Sequence, residues 1–153
     1  MSELIDNKDR AILRVLQRDT TPSVEEIAEI VALSRNATWR RIKLLEERGV
    51  VKKRVALLDA EALDIGQTVI VLIRTNAHDP DWLSRFRRAV IEMPEIMGAY
   101  RMSGDLDYVL RVQVRDVKAY DRFYQRLIAK VPVANVSASF VMEDIKDTTE
   151  LPL

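Results

Sequence analysis

The chain has 153 residues, with 24 Lys and Arg balanced by 24 Asp and Glu, a single histidine and no cysteine. That composition excludes disulfides, thiolate zinc sites and a cysteine nucleophile, and it leaves His78 as the sole imidazole. No apolar run reaches the roughly 18 to 20 residues of a membrane span, and the start Met-Ser-Glu-Leu-Ile-Asp lacks the basic-then-apolar build of a secretory signal. A soluble, cytoplasmic protein without a membrane partner is the expectation.

Three short helical patterns open the chain. Asp6 is placed to cap a first helix with Ile12, Leu13 and Leu16 as its apolar stripe, ending near Asp19. Thr20, Thr21 and Pro22 break that pattern. Ser23-Val-Glu-Glu26 then reads as a capping box for a second helix lined by Val24, Ile27, Ala28 and Val31. After an Ala32-Leu33 turn, Ser34 caps a third helix that turns Thr38, Ile42 and Leu45 toward the core and stops at Gly49, a left-handed cap.

The zero net charge conceals an asymmetry. Residues 1–58 carry 12 basic and 9 acidic side chains, and residues 59–153 carry 12 and 15. The excess is sharpest from Arg35 to Arg54, where eight basic residues face only Glu46 and Glu47. Such a patch attracts phosphate, although a solvated helix face has the same composition. The order of elements adds weight: a helix, a tight turn and a basic helix form the helix-turn-helix arrangement, whose second helix enters the major groove of double-stranded DNA. Asn36, Arg40, Lys43 and Glu47 share the outer face of that helix, flanked by Ser34, Arg35, Ala37 and Arg41 near its start. Asn36 and Arg40 are the base-edge candidates, because Asn pairs bidentately with adenine and Arg with guanine. Arg41, Lys43, Lys52, Lys53 and Arg54 are the phosphate candidates. An aromatic on a basic helix can touch DNA, but helical spacing sets Trp39 beside Ile42 and favours packing. Val50-Val51 and Val55-Ala56-Leu57-Leu58 read as a short strand or ribbon. The expected division is a DNA-binding domain over 1–58, a linker over 59–66 and a second domain over 67–153.

The second domain alternates strand and helix patterns: Thr68 to Thr75, Asp81 to Glu92, Ile96 to Met102, Asp107 to Val114, Val117 to Ala129 and Val136 to Met142. The order βαββαβ is the ferredoxin-like split pattern, giving an α+β protein overall, with helices on one sheet face and the other free to pair with a second subunit. The first strand is apolar on both sides, with Val69, Val71 and Ile73 on one and Ile70 and Leu72 on the other. A dimer that buries the second face explains this, as does a central buried strand.

Several stretches, in this order, resemble the Lrp/AsnC family of leucine-responsive, feast/famine transcription regulators. They are Ile5-Asp6-x-x-Asp9-Arg10-x-Ile12-Leu13-x-x-Leu16-Gln17, Leu33-Ser34 ahead of Arg40-Arg41-Ile42-x-x-Leu45-Glu46-x-x-Gly49-Val50, Ser103-Gly104-x-x-Asp107-Tyr108, and Ile145-Lys146 with Leu151-Pro152-Leu153. The resemblance implies a winged-helix-like DNA reader, an amino-acid-binding domain, and a homodimer that assembles to a tetramer or octamer. It also implies an effector site near the hairpin, with no cofactor or metal. There Gly104 would let backbone amides approach a carboxylate, Asp107 would hold an ammonium group, and Met102, Ser103, Leu106, Tyr108, Ser137 and Ser139 would border the ligand. Gly104-Asp105 forming a plain turn, with Asp107 capping it and Tyr108 packing, accounts for the same residues. This chain departs from the family in carrying Ala32 where Gly or Asn is usual, and Leu44 where a basic residue is usual.

Two other function classes bear on the reading. An enzyme on the α+β domain lacks support, since His78 beside Asp79-Pro80 has no second imidazole and no phosphate loop or hydrolase elbow is present. An architectural DNA-binding protein without an effector fits the same DNA-binding features.

Overall fold

The computed structural model describes residues 5–76 and 79–153, so the expectation for His78 falls outside the described residues. Backbone contacts divide the chain into two compact units, Met1–Leu57 with Lys146–Leu153, and Leu58–Ile145.

In the first unit, each helix begins where a side chain satisfies its orphan amides. Asp6 accepts from the Asp9 amide (2.8 Å) while the Asp9 carboxylate accepts from the Asp6 amide (3.1 Å), opening α1 (Asn7–Leu16). Ser23 and Glu26 make the same reciprocal pair (3.3 and 2.6 Å) ahead of α2 (Val24–Val31). The Ser34 hydroxyl accepts from the Ala37 amide (3.3 Å) at the start of α3 (Arg35–Glu47). Ile12, Leu13, Leu16, Ile27, Val31, Ile42 and Leu45 meet as one core. Gly49 takes the left-handed conformation expected of it, at φ 71°.

Between α2 and α3 the chain turns through Ala32, which is also left-handed (φ 52°, ψ 61°). A Cβ in that region costs about 1 kcal/mol or more. Ala32→Gly is therefore expected to raise stability by about 0.5–1 kcal/mol, the relief of strain exceeding the added freedom of the unfolded chain. A urea unfolding midpoint that falls instead would contradict the strain account.

Two expectations are corrected here. Val50-Val51 and Val55 to Leu58 form no strand. The amides of Val50 and Val51 both donate to the Leu45 carbonyl (2.9 and 3.1 Å), tying the segment to the end of α3, and no neighbouring strand pairs with it among the described residues. A strand without a ladder leaves its backbone groups to solvent. By its contacts, the stretch 146–153, expected with the second domain, groups with the first unit. The Gln17 side chain donates to the Leu151 carbonyl (3.1 Å) and accepts from the Leu151 amide (2.9 Å), and Arg14 donates twice to the Leu153 carbonyl (3.0 and 2.7 Å). Arg18 pairs with Glu150 at 2.9 Å, and Leu153 packs on the three-helix core. The expected linker, 59–66, groups with the second unit. Asp59 accepts from the amides of Glu61 and Ala62 (2.9 and 3.1 Å), and the Gln113 side chain donates to the Ile65 carbonyl (2.6 Å).

The second unit has the expected order: β1 (Gln67–Arg74), α4 (Pro80–Glu92), β2 (Ile96–Arg101), β3 (Tyr108–Val114), α5 (Val117–Lys130) and β4 (Asn135–Phe140). The strands form one antiparallel sheet in the order β2-β3-β1-β4. Asp79 with Pro80, and Asp116, start the two helices, their carboxylates accepting from the amides of Trp82 (2.8 Å) and Ala119 (2.7 Å). Val69, Val71 and Ile73 are buried with Leu110, Val112, Trp82, Phe86, Phe123 and Leu127, which places the core between one sheet face and the helices. The other face carries Ile70 and Leu72 in register with Arg111, Val109, Ser139 and Ser137.

Candidate functional site

On α3 the core takes Thr38, Ile42 and Leu45, and this fixes the outward row. Asn36, Arg40, Lys43 and Glu47 are exposed on it, Ala37 is half-buried, and Ser34 sits at the cap. The basic run from Arg35 to Arg54 is less bare than its sequence suggests. Arg35 pairs with Glu25, Lys43 with Glu46 (3.1 Å) and Arg54 with Glu46 (2.8 Å). The hydrogen bond from Lys43, with help from Arg54, holds the Glu46 carboxyl below the usual carboxylate range. Among the described residues, Arg40, Lys52 and Lys53 make no ion pair, so their charges stay available for a polyanion.

Arg41, expected as a phosphate contact, is engaged by acidic partners within its own unit. Its Nη1 donates to Asp6 Oδ2 (2.7 Å) and Asp9 Oδ1 (2.8 Å), the two carboxylates of the α1 capping box, and its side chain is only 33% exposed. These bonds, that to Asp9 first, raise the Arg41 pKa, and the Asp9 amide followed by Arg41 lowers that of Asp6. Arg41 therefore fastens α3 to the start of α1. Arg41→Ala is expected to cost roughly 1–2 kcal/mol, a value kept low because solvent screens a partly exposed pair. If Arg41 were a phosphate contact instead, the variant would keep its unfolding midpoint and show a shallower dependence of DNA affinity on salt.

Trp39 is corrected as well. Its side chain is 52% exposed and is not packed into the three-helix core.

At the hairpin, the Met102 amide donates to the Asp107 carbonyl (2.9 Å) and the Asp107 amide to the Ile73 carbonyl (3.1 Å). Gly104 has φ 108°, and a Cβ there would meet no atom within 4 Å, so the turn needs glycine for its backbone rather than for space. Asp107 Oδ2 accepts from the Thr75 amide (2.8 Å), which ties the hairpin to the end of β1. Tyr108 packs among Phe86 and Trp82, with ring centroids 4.5 and 5.7 Å away, on the helical side of the sheet. It is half-buried and packs against the core of the second unit. Met102 and Ser103 are exposed and Leu106 is half-buried. Ser137 and Ser139 are exposed on the opposite face of the sheet from the helices, with β1 between them and β3. The predicted effector residues thus fall into a hairpin group and a β4 group. Among the described residues there is no cluster of three acidic or imidazole side chains suited to a metal ion, and no helix is long and apolar enough to cross a membrane.

Comparison with known proteins places both units. Residues 5–46 match the AsnC-type helix-turn-helix domain, and residues 68–151 match the Lrp/AsnC ligand binding domain. The chain is 47% identical over 151 residues to the DNA-binding transcriptional activator DecR of Escherichia coli (strain K12), a match covering 98% of this chain and 99% of that protein. The crystal structure of an AsnC family transcriptional regulator from Agrobacterium tumefaciens has a TM-score of 0.94 at 53% identity and covers 97% of each chain. A transcriptional regulator from Neisseria meningitidis in complex with L-methionine has a TM-score of 0.92 at 32% identity, covering 97% of this chain and 96% of that one.

Proposed function

The chain belongs to the Lrp/AsnC family of DNA-binding transcription regulators, and we propose that α3 reads an operator while an α-amino acid, bound by the second unit, modulates that reading. It is a regulator and not an enzyme, as its relatives are. The observation that carries the reading is the outer row of α3, where Asn36 and Arg40 stand exposed over a core-facing stripe of Thr38, Ile42 and Leu45. Arg40 carries a planar fork of donors matched to guanine O6 and N7, and Asn36 an amide matched to adenine. Lys43, Lys52, Lys53 and Arg54 supply phosphate contacts that set register without reading sequence.

For the effector we place the ligand at the hairpin formed by Met102, Ser103, Gly104 and Leu106. Backbone amides around Gly104 suit a carboxylate, and the carboxylate of Asp107, already engaged by the Thr75 amide, orients the turn. The methionine complex of the Neisseria regulator makes L-methionine the first amino acid to try. Assembly proceeds through the sheet face that carries Ile70, Leu72 and Val109, giving a homodimer and higher multiples of it in the cytoplasm.

The test is a panel of the common amino acids, scored by thermal midpoint and by DNA affinity. A true effector present at about 100 times its Kd stabilises the protein by about 2.7 kcal/mol, and it shifts DNA affinity with it. A flat response across the panel, with DNA binding intact, would leave an architectural DNA-binding protein.

A further inference from the structure

We propose that Trp39 is a specificity-determining contact, its indole lying against a thymine 5-methyl group in the major groove of the operator. The inference rests on the reading of α3 as the DNA-contacting helix and adds a residue to it. Burying an indole removes a large apolar area from water, so folding ordinarily hides it. Trp82, the other tryptophan of the chain, is 2% exposed and donates from its ring nitrogen to the Pro132 carbonyl (2.6 Å). Trp39 is left 52% exposed in the second turn of α3. The core direction of that helix is filled by Thr38 and Ile42, which flank Trp39 in sequence and at the next turn. Helical spacing puts the indole between Arg35 and Lys43 along one edge of the helix and beside Asn36. The major groove is anionic at its rim and carries apolar thymine methyls in its floor, so an aromatic among donors on this helix meets both kinds of contact there at once.

The proposal separates Trp39 from its charged neighbours. The indole carries no charge, so its contact adds to affinity for operator DNA and leaves the salt slope unchanged. An operator is first selected from random duplexes by the full-length protein. Trp39→Ala is then expected to bind that operator about tenfold more weakly, with affinity for random DNA and the salt slope both unchanged. Replacing each operator thymine in turn by uracil deletes the methyl alone. At one position this should weaken the wild-type protein about threefold to fivefold, the worth of one buried methyl, and leave Trp39→Ala unaffected.

Tryptophan fluorescence of the unmodified protein gives an independent reading, because buried Trp82 contributes little to acrylamide quenching. Quenching should be strong in the free protein and should fall when operator DNA saturates it, a change absent from Trp39→Phe. The assignment is overturned if quenching is already weak without DNA, which would mean a second copy covers the indole. It is equally overturned if quenching stays strong in the saturated complex, or if no uracil position distinguishes the two proteins. Loss of operator preference in Arg40→Ala with none of these Trp39 effects would sink this inference alone. Unchanged preference in both variants would sink the reading of α3 itself.

Discussion

Arg40→Ala is expected to weaken binding to the selected operator by about 1–3 kcal/mol, roughly fivefold to 150-fold, while affinity for random DNA falls far less. The asymmetry follows from position. Arg40 stands on the exposed row of α3 and makes no ion pair among the described residues, so nothing in its own unit needs its charge. Lys52→Ala is the matching control. A lysine outside the helix that meets phosphate should lose operator and random DNA alike, and its salt slope should fall by about one. Competition binding at several salt concentrations measures both quantities. Equal losses on both DNAs for Arg40→Ala would remove it from the base-reading set.

The largest effect on stability is expected from Trp82→Ala, about 3–5 kcal/mol. The indole stacks on Phe86 with centroids 5.1 Å apart and planes 10° apart, touches Tyr108, and anchors Pro132 through its N–H. Truncation opens a cavity between α4 and the sheet and leaves a carbonyl without its donor. A domain of this size has only about 5–15 kcal/mol in total, so the second unit should approach its unfolding threshold at ambient temperature. The urea midpoint of that transition should drop with little change in slope. A shift below about 1 kcal/mol would mean that the neighbours collapse onto the space.

What the sequence conveyed follows the range of the physics involved. The caps at Asp6, Ser23 and Ser34 were legible because each is a bond across three residues. The strands and helices of the second unit were legible because a period of two and a period of 3.6 differ over a few residues. Trp39 was misread because it lies about a quarter turn from the buried stripe of α3, where spacing decides nothing. The pairing of Arg41 was not legible because its partners, Asp6 and Asp9, are more than 30 residues away and outside the basic run that made it conspicuous. The missing strand at Val50 to Leu58 had strand composition, yet composition cannot supply the neighbour a ladder requires. At the hairpin, Asp107 and Tyr108 had the chemistry of ligand contacts and of structural residues equally, and their partners, the Thr75 amide and the rings of Phe86 and Trp82, lie too far along the chain for spacing to reveal them.

The docking of residues 150–153 on α1 also sets a timetable for biogenesis. Arg14, Gln17 and Arg18 leave the ribosome more than 130 residues ahead of Glu150, Leu151 and Leu153, so of the two units the one begun earlier is the one finished later. Domains usually fold in the order in which they emerge. Here the three helices can collapse early, but the bonds between α1 and residues 150–153, and the seat of Leu153 on the core, must wait until those residues have emerged. A nascent chain therefore carries an unfinished first unit until residues 150–153 are made, and a change at Leu151 or Leu153 acts on helices encoded more than 130 residues earlier.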